Sequence, residues 1–155
     1  MRAIGIAILA VLFAVAATSF YRAASEPTGA MSPEDFARST RLVASDAHEA
    51  SLFVALLRGD RLTHAFAKTH REKLLESIRD ESRSLRDPVP AELRAHAERV
   101  RALAAQAENI VADTQPREGD VDALRRYEGE LAGIGDELGE LAGIGDELGG
   151  LGAHP

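Results

Sequence analysis

Between Pro33 and Pro88 this chain has no proline, and between Pro90 and Pro116 it has none again. Proline removes a backbone donor and pushes the residue before it out of the helical region, so its placement bounds where long helices can run. The first interval opens on Ser32-Pro33-Glu34-Asp35. This is a helix start: a hydroxyl at the N-cap, proline in the first position and acids in the first turn. Inside it only Gly59, followed by Asp60, interrupts the pattern. Pro88-Val89-Pro90 makes the next break, and the alanine-rich stretch from Ala91 to Asp113 favours helix up to Pro116. The spacing predicts helices at about 33–58, 61–86 and 90–113, with a shorter one from about 121.

The apolar faces agree with that division. At about 100° per residue, Leu42, Val43, Phe53, Leu56 and Leu57 share one broad arc of the first helix. In the second, Leu62, Phe66, His70, Leu74 and Ile78 form a row of four-residue steps. In the third, Leu93, Ala97, Val100, Ala104, Ala107 and Val111 alternate steps of four and three, a coiled-coil-like seam of small residues. A continuous rod from 33 to 86 would turn Leu62 and Phe66 away from the Leu42/Leu56 arc, so a bend at Gly59 is the preferred reading over the rod. The expected fold is all-α: an N-terminal hydrophobic helix, then an antiparallel hairpin or bundle of three to four helices. Phe36, Phe53 and Phe66 are expected to be at least partly buried. So thin a core suggests that stability draws on self-association.

Ahead of this block, Ala3 to Tyr21 is an uncharged run of 19 residues behind Met1-Arg2. As a helix it would just span the roughly 30 Å hydrocarbon core of a bilayer. It also fits a signal peptide, with Ala14-Val15-Ala16 as a cleavage site. Phe20 and Tyr21, beyond that site, favour an uncleaved anchor. Either outcome places the rest outside the cytoplasm: membrane-anchored, or secreted or periplasmic if cleaved. The expected division is therefore 1–22 anchor or signal, 23–31 linker, 32–115 helical bundle and 116–155 acidic tail.

The chain has no cysteine, which excludes disulfide scaffolds, zinc fingers, iron–sulfur clusters and thiol chemistry. Its net charge is −7, and residues 114–155 alone carry ten acids against three arginines. Nucleic acid is not expected as a partner. In that acidic stretch residues 129–138 read Gly-Glu-Leu-Ala-Gly-Ile-Gly-Asp-Glu-Leu, and 139–148 repeat them unchanged. Leucine and isoleucine recur there at helical spacing, but each glycine costs a helix about 1 kcal/mol relative to alanine. A weak, fraying helix in a loose, low-complexity tail is the expectation. Gly129/Gly133 and Gly135/Gly139 have the small-xxx-small spacing of membrane helix contacts, which the surrounding acids oppose.

Candidate chemistry is sparse. Asp46 and Glu49 fall inside the Leu42/Phe53/Leu56 arc, His70 in the middle of the second helix's row, and His96 at the edge of the third helix's face. A turn at Gly59–Asp60 brings Glu49 and His70 level, as an ion pair or as part of a metal site with Asp46. The pair is the preferred reading, because the chain lacks the Glu-x-x-His motifs of carboxylate-bridged bundles. Arg58-Gly59-Asp60 spells an integrin-type tripeptide but sits where a helix turn belongs. No phosphate loop, zinc-protease motif or nucleophile elbow is present. The sequence points to a non-enzymatic module without a cofactor that works through protein contact or scaffolding, with an exported ligand- or metal-binding bundle as the alternative.

Overall fold

The computed structural model describes residues 31–85, 88–115 and 117–151. The hydrophobic run 3–21 and most of the linker lie outside these residues. Among them there are four α-helices and no strand: α1 (Pro33–Arg58), α2 (His64–Ser84), α3 (Arg94–Asp113) and α4 (Val121–Leu151). None is long and apolar enough to cross a membrane. Each helix runs antiparallel to the one before it, and α4 closes the bundle by packing along α1. The ion pairs Arg41–Asp146 and Arg58–Glu128 fix that last direction, at 2.6 and 3.0 Å.

Local signals set the ends. Ser32 accepts from the Asp35 amide at 3.1 Å. The α1–α2 break is a Schellman-type turn: the Arg61 amide donates to Leu56 and the Asp60 amide to Leu57, both at 3.0 Å. The left-handed residue is Asp60 (φ 51°), whereas Gly59 has an ordinary φ of −82°. The bend is therefore where the sequence places it, but the residue that turns the chain is the aspartate. Helix α2 starts at 64 rather than 61 because Thr63 caps it, accepting from the Phe66 amide at 3.3 Å. A 3-10 turn (Ala91–Leu93) leads into α3.

The α3 seam is buried as expected, with Leu93, Ala97, Val100, Ala104, Ala107 and Val111 at 0–1% exposure. The other two faces need correction. On α2 the buried row is Ala67, Arg71, Leu74 and Ile78. Strict four-residue steps drift by about 40° each on a helix, so Phe66, two steps from Leu74, lies 53% exposed. On α1, Leu42 and Leu56 are 45% and 39% exposed, while Ala37, Ala44, Ala47 and Ala50 are buried with Phe36, Val43, Phe53 and Val54.

The reason is α4. Residues 121–151 form one 31-residue helix that packs against the alanine face of α1, so the tail belongs to the bundle. Two glycines make room for close approach, one to backbone and one to a ring. A Cβ on Gly145 would stand 2.9 Å from the Pro33 carbonyl and 3.0 Å from Ala37 Cβ and Phe36 Cδ1. One on Gly135 would strike the His48 ring at 2.6–2.8 Å. The other glycines in the membrane-type spacings (Gly129, Gly133, Gly139) have nothing within 4 Å of such a Cβ. Only Gly135 of those pairs makes a close approach.

Ten residues advance a helix about 80° short of three full turns, so the two identical repeats present different faces. Leu131 and Leu138 are fully buried, but their counterparts Leu141 and Leu148 are only partly so. Ala142 is buried where Ala132 is half-exposed.

This geometry sets two neighbouring glycines against each other. Gly143→Ala is expected to raise stability by about 1 kcal/mol, as an open helical position should. Gly145→Ala should lower it, because backbone and core atoms must move. Chemical denaturation of both variants checks the difference in sign.

Candidate functional site

The hairpin of α1 and α2 places Asp46, Glu49, His70, Lys73, Leu74 and Ser77 around one open cleft of about 180 Å³. Glu49 and His70 stand at similar distances along the chain from the turn, one before it and one after it. Their side chains meet across the helices, with Nε2 3.4 Å from Oε1. The imidazole lies between two aromatic rings. Phe66 stacks on it with centroids 5.4 Å apart and 15° between planes, and Phe53 meets it tilted at 5.3 Å. His70 is thus mostly enclosed, with its side chain 25% exposed, while Glu49 remains 54% exposed. A polar contact that wet contributes no more than about 1 kcal/mol.

Asp46 sits one helical turn before Glu49. Ser77 donates to its Oδ2 at 2.8 Å. Burial nevertheless pushes its carboxyl above the usual range, and the nearby Glu49 charge pushes the same way. Glu81, further along α2, is raised by burial and by Asp46 and Asp80. The three candidates Asp46, Glu49 and His70 therefore share one cleft, together with the Lys73 ammonium. Among the described residues, no group of three His, Asp or Glu side chains is placed to hold a metal ion. His96 is half-buried on α3.

A second polar cluster escapes the sequence reading. Arg71, only 4% exposed, donates through Nε to Thr114 Oγ1 at 2.9 Å and pairs with Glu118. Its guanidinium also lies 5.9 Å from the Phe53 ring centroid. Thr114 in turn donates to the Val111 carbonyl at 2.7 Å, closing the end of α3. Glu118 takes a second contact from His64 at 3.3 Å. The Arg71 hydrogen bond holds the Glu118 carboxyl below its ordinary range. The signal for Arg71 is its position: four residues after Ala67 and three before Leu74, on the true buried row. The Arg58-Gly59-Asp60 tripeptide is absorbed by structure, with Arg58 bonded to Glu128 and Asp60 in the turn.

Comparison with protein-family models, with curated proteins and with solved structures gave no match.

The Glu49–His70 contact and the buried arginine differ in what their loss should do. Glu49→Gln should change stability by less than about 1 kcal/mol, and added Zn²⁺ or Fe²⁺ should leave the melting temperature unchanged. A metal-dependent rise that Glu49→Gln or His70→Gln abolishes would instead establish a metal site.

Asp46→Asn, which keeps an acceptor for Ser77, should stabilise the fold at neutral pH. A carboxyl raised in the folded state is a liability while ionised, so this gain should fade as pH falls through the raised value. A gain independent of pH would contradict the assignment.

Arg71→Ala should cost at least about 2 kcal/mol at neutral pH. A depressed carboxyl stabilises the fold above its unfolded value, and that contribution is lost as pH falls through the folded one. The deficit of Arg71→Ala should therefore narrow in acid, as denaturation at several pH values will show.

Proposed function

We propose that this chain is a membrane-anchored, extracytoplasmic helical module that acts by protein–protein contact, as a scaffold or accessory subunit. The observation that carries the reading is an apolar surface on a well-packed bundle. Leu42, Leu52 and Leu56 of α1 and Phe66 of α2 are 39–67% exposed. Single exposed apolar residues are ordinary, but four large ones on one hairpin favour a role in contact. The anchor rests on the uncharged run Ala3–Tyr21 and its flanking Met1-Arg2.

Fractionation of the full chain carrying a C-terminal tag tests the reading. The protein should stay with the membrane through carbonate extraction, and protease added outside should remove the tag. A soluble exported form beginning near Ala17 would replace the anchor with a cleaved signal. Recovery in the cytoplasm would overturn the proposal.

A further inference from the structure

Residues 129–138 and 139–148 of α4 are the same ten residues in the same order. Any difference in how firmly the two repeats hold is therefore set by what they pack against. The first lies between α1 and α3. Leu131, Ile134 and Leu138 are buried in the core, Asp136 stands 3.7 Å from His48 of α1, and Glu137 pairs with Arg99 of α3 at 2.6 Å.

The second repeat outruns α3. Past the Glu137–Arg99 pair, α4 continues to Leu151, while α3 and the 3-10 turn ahead of it reach back only to Ala91. At about 1.5 Å per α-helical residue and about 2.0 Å per 3-10 residue, this sets roughly 21 Å of α4 beside roughly 14 Å of partner. The second repeat rests on the first turns of α1. Gly145 lies against the Pro33 carbonyl, Phe36 and Ala37, and Gly149 against Glu34. Asp146 pairs with Arg41, both side chains 53% exposed. Across residues 139–150 only Ala142 and Gly145 are buried, and Leu141, Ile144 and Leu148 stay partly exposed. Glycine is the weakest helix former after proline, and this stretch contains five. At Gly139, Gly143 and Gly150 no neighbouring element packs within 4 Å of an added Cβ.

We infer that the second repeat is a strap: residues 139–151 leave α1 and return as a unit, while the first repeat and the rest of the bundle stay folded. Segments with few buried apolar contacts open in contiguous units below the free energy of global unfolding. The hinge is Leu138-Gly139, where the last fully buried leucine of α4 meets a glycine with open space around it. Opening uncovers Phe36 and Ala37 on the side that Gly145 covers, at the end of α1 that follows the linker. The inference does not depend on the protein-contact reading, and its failure leaves that reading untouched.

Native-state hydrogen exchange on the full-length chain in mild detergent tests the strap. Identical neighbours give corresponding amides nearly the same unprotected exchange rate, so the repeats are each other's control. Leu141, Ile144 and Leu148 should exchange at least about a hundredfold faster than Leu131, Ile134 and Leu138, and with one common protection factor. Equal protection in the two repeats would overturn the proposal, because the second would then open only with the whole bundle. So would protection that falls steadily from Leu141 to Leu148, the pattern of a fraying helix end.

A lock supplies a second measurement, and the absence of cysteine makes it clean. A Cβ on Gly149 would stand 3.1 Å from Glu34 Cγ, one bond from Glu34 Cβ. Glu34→Cys combined with Gly149→Cys thus suits the Cβ separation of about 3.5–4.5 Å that a disulfide needs. Oxidised, this variant should slow exchange at Leu141, Ile144 and Leu148 at least about tenfold, and reduction should restore the gap. A formed disulfide that leaves those rates unchanged would overturn the strap.

Discussion

The bundle depends on how closely α1 and α4 approach. Gly145 lets the α4 backbone reach the start of α1 at Pro33 and Ala37, and Gly135 leaves room for the His48 ring, while Ala44 and Ala47 of α1 and Ala142 of α4 are buried. Close-packed atoms at van der Waals distance gain dispersion energy over the whole length of contact, which no single large side chain here supplies. That gain offsets the conformational entropy that the glycines lose in a helix. It also leaves the larger residues Leu131, Ile134 and Leu138 on the inner side of α4, where they complete a core that α1–α3 would leave open.

Electrostatics follows this packing. The acidic stretch that dominates the net charge is laid against arginines of the rest of the chain: Asp146 on Arg41, Glu128 on Arg58 and Glu137 on Arg99. The Arg99 contact lowers the Glu137 carboxyl from its usual range. Each pair is at least partly solvent-exposed and contributes little to stability singly. Their value lies in register, because a slip of α4 along α1 would separate the pairs together. Within α2, Arg71 is the counterexample, a cation deep enough that Thr114, Glu118 and the Phe53 ring must all be in place around it. It ties the α3–α4 connection to the hairpin that carries Glu49 and His70.

With α4 on its alanine face, α1 turns its large leucines outward. α1 buries four alanines beside Phe36, Val43, Phe53 and Val54 and leaves Leu42, Leu52 and Leu56 exposed on its outer edge. Beside that edge His70 is held by the Phe53 and Phe66 rings, while Glu49 faces water.

Helix class, number and breaks were written in the sequence, because they depend on local chemistry. The Ser32 cap, the proline doublet at 88 and 90 and the 4-3 seam of α3 act within a turn or two of themselves. The approach of Glu49 to His70 was legible for the same reason, since a tight hairpin makes distance from the turn a measure of height along it. What the sequence alone could not decide was which face of each helix is the inside. Leu42 and Ala44 lie on α1 only two residues apart, and the larger is the more hydrophobic, yet it is the alanine that is buried. The choice belongs to α4, a partner so distant in sequence that Arg41 and Asp146, which pair across the contact, are 105 residues apart. Two identical ten-residue repeats make the point most directly. Their local propensities are the same, and their burial differs because each is rotated differently against α1. Propensity is a property of a segment, whereas burial is a property of the surface it meets.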